Sequence, residues 1–253
     1  MCLIAFAWQP GTAQPLRLAG NRDELHVRPT APLGYWDDAP SLLGGRDLEA
    51  GGSWLAATQG GRVAALTNVR DLAVTTPPDA PSRGELVANA LQCSNIEQWL
   101  TDLAHHKAHR YAGFNLLVAT TDRLWYLHHG QHGITLSDVP PGVHGLSNAE
   151  LNTPWPKVQS VREALAQSSL DNWRSPLGQA LHNTQRAPDA QLPKTGVELA
   201  LERRLSAAFI LGETYGTRAT SWLTLDHQGH INITEQRFGP MGRFKGETTL
   251  AIS

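Results

Sequence analysis

Apolar positions come in short uninterrupted runs that are separated by turn-forming residues. Residues 2–8 are apolar throughout, Gln9-Pro10-Gly11-Thr12 breaks the run, and residues 16–21 resume it. Two such runs about a Pro-Gly turn predict a β-hairpin, and their near-continuous apolarity predicts strands covered on both faces. The pattern returns at 51–57 and 62–67 about Gly60-Gly61, a dipeptide that accepts the positive φ of tight hairpin turns. It returns again at 114–120 and 123–128 about Thr121-Asp122, and at 217–225 and 231–238 about residues 226–230. Shorter strands are predicted at 134–136 and 248–252, with a strand end and an exposed amide at 145–150. The prolines between Arg28 and Pro40 predict irregular extended chain carrying Tyr35 and Trp36, suited to a lid or pocket wall.

Helical periodicity is confined to the middle of the chain. Ser82-Arg83-Gly84-Glu85 has capping-box spacing ahead of an apolar-periodic run, and Asn95 is placed to cap a second helix. In that helix Ile96, Trp99, Leu100 and Leu103 share a face, which assigns Trp99 to the core. Further helices are predicted from Pro156 to Ala166, over 170–182 and over 197–208, with a polar, proline-bearing link at 186–195 too short to divide domains. Strand pairs at both ends and helices between them predict stacked antiparallel sheets with helices outside, an α+β fold in one domain over 1–253.

Composition narrows the function classes. At 253 residues and 41% hydrophobic, the chain can bury a substantial core. A formal charge of −2 with scattered Lys and Arg argues against a nucleic-acid partner. Cys2 and Cys93 make no CxxC pair and too few thiols for a disulfide framework, which fits a reducing compartment. With no basic leader and no membrane-length apolar run, a soluble cytoplasmic protein is expected. Eight Trp against five Phe suggest that some indoles line a pocket.

The candidate chemistry lies at the first hairpin. Removal of Met1 would leave the Cys2 thiol and a free α-amine on one residue, and such an amine, with a pKa of about 7.7–8.0, can serve as the base for its own nucleophile. Asn21-Arg22-Asp23-Glu24 at the end of the second run brings an amide, a guanidinium and two carboxylates back beside Cys2. The histidines at 105, 106 and 109 and at 128, 129 and 132 are read as solvated, because no Cys, Asp or Glu completes a ligand set; no metal or cofactor is expected. Gly44-Gly45-Arg46 and Gly60-Gly61-Arg62 do not lead from strand to helix and are turns rather than phosphate loops.

Several patches taken together resemble the NRDE, or transport and Golgi organisation, family. They are Met1-Cys2-Leu3, Asn21-Arg22-Asp23-Glu24, Gly51-Gly52-Ser53-Trp54, Thr67-Asn68-Val69-Arg70, Ser82-Arg83-Gly84, Gly113-Phe114-Asn115-Leu116-Leu117, Gly145-Leu146-Ser147-Asn148 and Pro154-Trp155-Pro156-Lys157-Val158. Residues 159–211 carry no matching motif. That family is similar to the N-terminal nucleophile amidohydrolases of the cholylglycine hydrolase and penicillin V acylase group, which implies a four-layer αββα sandwich. By position the resemblance implies Cys2 as nucleophile, Asp23 as the residue that orients the amine, Asn68 and Asn148 as oxyanion donors, and Arg218 as the late arginine. Arg22 is assigned beside them, although it adjoins Asp23 where the amidase arginine stands a few residues earlier. Asn21, Trp36 and Trp54 are assigned to substrate contact. The resemblance implies a hydrolase of a small amide or acyl substrate. It also implies an alternative, a haem- or lipid-handling protein whose Trp-lined pocket holds an apolar ligand.

Overall fold

The computed structural model describes residues 2–253; Met1, whose removal the amine chemistry requires, lies outside the described residues. Two antiparallel sheets stack face to face. The first orders its strands β10-β1-β2-β11-β12-β13, from β1 (Cys2–Trp8), β2 (Leu16–Leu25), β10 (Gly142–Leu146), β11 (Tyr215–Leu225), β12 (Ile231–Phe238) and β13 (Phe244–Ile252). The second runs β3 to β9 in chain order: β3 (Thr30–Trp36), β4 (Ala39–Asp47), β5 (Leu55–Thr58), β6 (Arg62–Asn68), β7 (Phe114–Ala119), β8 (Leu124–Gly130) and β9 (Gly133–Asp138).

Strand alternation divides the core into three. Cys2, Ile4, Phe6 and Trp8 of β1 point between the sheets and meet Leu43, Leu55, Val63 and Leu117 of the second sheet. The alternate residues Leu3, Ala5 and Ala7 point outward, against α3 (Pro156–Ala166) and α4 (Arg174–Leu181), through Val158, Val161 and Leu177. The outer face of the second sheet is covered by α1 (Glu85–Gln92) and α2 (Ile96–Asp102), through Leu86, Leu91 and Leu100. Four layers result, helices outside and sheets within, as the resemblance implies. Each fully buried Leu, Ile or Phe stabilises this arrangement by roughly 1.5–3 kcal/mol relative to exposure. No helix among the described residues is long and apolar enough to cross a membrane.

The strand expectations hold at all four hairpins, and several details differ. The proline-bearing stretch 28–40 is not irregular chain but the β3–β4 hairpin. β3 is the edge strand of its sheet, and its register breaks between Ala31 and Gly34, so Pro32 removes no ladder bond that the sheet needs. Helix α1 has Gly84 at its N-cap with no side-chain cap, so the Ser82–Glu85 spacing does not form a capping box. Asn95 does cap α2, accepting the Gln98 N–H at 3.0 Å. Of the three helices of the later half, α3 has its predicted bounds and the other two are shorter than their periodicity: α4 begins at Arg174, and α5 covers Leu199–Leu205. His105, His106 and His109 are exposed, but His128 and His129 are buried and not solvated. His128 Nδ1 lies 2.7 Å from Asn115 Oδ1.

Candidate active site at the end of the first hairpin

Cys2 stands directly across from Arg22 in the β1–β2 ladder, so the two side chains share the face between the sheets. There they open into a cavity of about 610 Å³, within the size range of small-molecule sites. Its walls include Asp23, Trp54, Asn68, Arg83 and Arg218. Arg22 lies 3.7 Å from Glu24 and 4.0 Å from Asp47, and Asp47 is also held by Arg28 at 2.7 Å.

Asp23 is nearly fully buried and accepts the Thr217 hydroxyl at 2.7 Å. Burial pushes its carboxyl above the ordinary value, opposed by the charge of Lys157, by the Thr217 bond and by Arg22. Burial likewise raises the Cys2 thiol; the Asp23 carboxylate adds to this and the Arg22 guanidinium works against it. At Cys2 burial therefore outweighs the guanidinium.

Arg218 reaches the cavity by an irregularity. Thr217 pairs with Asp23 and Ala219 with Arg22, which leaves Arg218 as the extra residue of a β-bulge. Such a bulge re-aims its side chain out of strict alternation. The Arg218 guanidinium donates to the carbonyls of Leu25 and Arg28 and to the Thr30 hydroxyl, pinning the turn between β2 and β3.

Asn148 is fully buried and does not line the cavity. Its Nδ2 donates to the Asn68 carbonyl at 2.9 Å and its Oδ1 accepts the Ser147 hydroxyl at 3.2 Å. That hydroxyl is also 3.2 Å from the Cys2 carbonyl, so Asn148 sits one residue from a group that touches the Cys2 backbone. A polar brace from the second sheet holds this segment. Thr67 donates to the Ser147 carbonyl at 2.6 Å, and Asn115 donates to Thr67 and to the Ala149 carbonyl, each at 2.9 Å.

Besides Asn148, two assigned residues are absent from the cavity wall. Asn21 is on the outer face of the first sheet, where its amide donates to the carbonyls of Leu181 and Ala208 at 2.8 Å and accepts the Thr220 hydroxyl at 2.7 Å. Trp36 packs with the outer core of the second sheet beneath the Arg46 guanidinium, and its indole donates to the Gly44 carbonyl at 3.2 Å. Trp54, in contrast, is a cavity wall.

Other residues near the site have no role in the sequence reading. Lys157 is buried behind Asp23, donating to the Leu205 carbonyl at 2.9 Å, and burial lowers its pKa to about 8 against the attraction of Asp23. Arg70 pairs with buried Glu202 at 2.9 Å and lies over the Trp155 ring. Arg83 enters the cavity while donating to the Gly113 carbonyl at 3.0 Å. Lys157, Arg70 and Arg83 all lie within the patches quoted above, so their positions were visible even though their functions were not. The second thiol, Cys93, lies away from the cavity and has Arg62 as a charged neighbour, its Nη1 3.5 Å from the sulfur.

The sequence profile of the family "Transport and Golgi organisation 2" matches residues 1–240. The chain is 34% identical to the mouse Transport and Golgi organization 2 homolog over 93% of its own length and 92% of that protein, and 32% identical to the human homolog with the same coverage. Among solved structures it is similar to the Caenorhabditis elegans ortholog of N-acylethanolamine-hydrolyzing acid amidase, with a TM-score of 0.55 over 90% of this chain and 93% of that one, at 8% identity. It is also similar to a mutant of the conjugated bile acid hydrolase from Clostridium perfringens, with a TM-score of 0.50 over 99% and 92% at 11% identity. The chain belongs to the Transport and Golgi organisation 2 family and carries the fold of the N-terminal nucleophile hydrolases.

Proposed function

We propose that this protein hydrolyses a small acyl amide with the Cys2 thiol as nucleophile. The observation that carries this reading is that Cys2, the first residue of β1, opens into a 610 Å³ cavity, across the ladder from Arg22 and with Asp23 in the same wall. Its likeness in fold to an acid amidase and to a conjugated bile acid hydrolase supports a hydrolytic reaction class. Once Met1 is removed, the Cys2 α-amine takes the thiol proton, and the thiolate attacks the carbonyl carbon. The resulting oxyanion is stabilised by donors around Asn68 and Asn148. The C–N bond breaks as the α-ammonium returns its proton to the departing amine. Water then attacks the thioester, releasing the carboxylic acid and restoring the thiol. Asp23 holds the α-ammonium, and Arg22 with Arg218 favours negative charge at the centre. Trp54 contacts the acyl portion.

The test is incubation with a panel of acyl amides, following amine release and the intact mass of the protein. The expected result is a mass lacking Met1, a transient acyl adduct on Cys2, and loss of turnover in Cys2→Ala. Turnover that persists in Cys2→Ala would falsify the assignment.

A further inference from the structure

The ladder that sets Arg22 opposite Cys2 continues across the first sheet. Arg22 pairs with Ala219, Ala219 with Arg237, and Arg237 with Gly246. Residues directly opposite one another share a face, so this rung runs from the thiol across β1, β2, β11, β12 and β13 on the cavity side. It carries Arg22 and Arg237, with Arg218 in the bulge beside Ala219 and Lys245 next to Gly246. All four cations line the cavity.

These cations are only partly neutralised. Among the described residues of the cavity wall, seven Arg and Lys face four Asp and Glu. Three of those carboxylates, Asp23, Glu24 and Asp47, stand at the Cys2 end among the neighbours of Arg22 and Arg28. At the far end the one carboxylate among the described lining residues is Glu235, two residues before Arg237 on β12; it accepts the Leu33 N–H at 2.9 Å and is the single acidic group there that opposes the charge of Arg237. Arg218 spends its hydrogen bonds on carbonyls and a hydroxyl, and the carboxylates that act on its charge, Glu24 and Asp47, are those already shared with Arg22. Nη1 of Arg22 and Nε of Arg237 are buried with no hydrogen-bond partner among the described residues. Gly246 leaves room for Arg237 over β13: its φ is +131°, and a Cβ there would come within 2.9 Å of Arg237 Nη2. A guanidinium buried in this way gains a charge-assisted pair when an anion arrives.

We propose that this rung is an anion subsite, and that the ligand is an acyl amide bearing a carboxylate, sulfonate or phosphate at the end remote from the scissile bond. Strands lie about 4.7–4.9 Å apart, so Arg237, three strands from Cys2, sets a span of about 10–15 Å between carbonyl and anion once its side-chain reach is allowed for. The proposal rests on the hydrolase reading only in placing the amide at Cys2.

Three probes separate it from that reading: the N-butylamides of dodecanoic, dodecanedioic and 12-aminododecanoic acid, identical except for a neutral, anionic or cationic far end. Calorimetric binding to Cys2→Ala protein should favour the anionic amide over the neutral one about ten- to hundredfold, the range for a charge-assisted bond. The preference should shrink as salt is raised. The double substitution Arg237→Gln and Lys245→Gln should bring the two affinities together, with thermal melts showing retained folding and Lys245→Gln alone giving a partial loss. Equal affinity for neutral and anionic amides, tighter binding of the cationic one, or a preference that survives the double substitution overturns the subsite. Amine release by wild-type protein is read separately. Charge-selective binding without release leaves the subsite standing and counts against hydrolysis; release at equal kcat/KM from neutral and anionic amides does the reverse.

Discussion

Asn148 and Lys157 show how much depends on single buried polar groups. The Asn148 amide uses one N–H on the Asn68 carbonyl, and under the proposed mechanism its second N–H is the one left for the oxyanion. Asn148→Ala should lower kcat by about two to three orders of magnitude, the usual loss for one oxyanion donor, with a modest loss of melting temperature because the Asn68 carbonyl loses its partner. Steady-state kinetics beside a thermal melt checks both. Lys157 makes a prediction about pH. Its native pKa of about 8 lies below the ordinary lysine value of 10.5. Between those values the unfolded chain holds a proton that the native state has released, so this residue's contribution to stability rises with pH across that window. Melts of wild type and Lys157→Met from pH 7 to 10 should diverge in favour of wild type above pH 8; parallel curves would show that Lys157 is not desolvated.

At the scale of elements, the hairpins were legible because each combines an apolar run with a turn that only certain residues make. Edge strand β3 was not legible, since prolines forbidden inside a sheet are tolerated at its margin. The glycine patches were visible as signatures but not as contacts. Gly52 lies against Gly84, and a Cβ on Gly52 would meet the Gly84 carbonyl carbon at 2.3 Å, while the Ser53 N–H bonds the Gly84 carbonyl at 3.1 Å. That approach seats the start of α1 and Arg83 against the cavity wall. Gly52→Ala should therefore cost about 3 kcal/mol, the upper end for overpacking, because backbone must move. At about 2–4 °C per kcal/mol in a protein of this size, the melting temperature should fall by about 6–12 °C. An unchanged melt would mean that the two loops can separate freely.

For the whole molecule, the sequence revealed the sandwich and the cleft end of the first hairpin but not what supports them from behind. Arg70 and Lys157 lie in recognisable patches, yet their partners Glu202 and the Leu205 carbonyl come from α5, in the stretch 159–211 where no motif was matched. Such pairings join residues far apart in the chain and leave no spacing to read. The same holds for Asn21, which reads as a site residue but ties β2 to the end of α4. Periodicity gave the layers; the charges between them needed coordinates.

The bulge at Arg218 also bears on what kinds of change this chain can absorb. Losing a residue elsewhere in β11 would turn every later side chain to the opposite face and expose its core. Losing Arg218 itself would join Thr217 to Ala219 and leave Asp23 and Arg22 with their present partners, in an unbroken ladder. The sheet would be more regular without this residue. Arg218 is therefore an insertion that the architecture does not require, and what it adds, a tether on the turn at 25–30 and a positive charge over the cavity, belongs to the site.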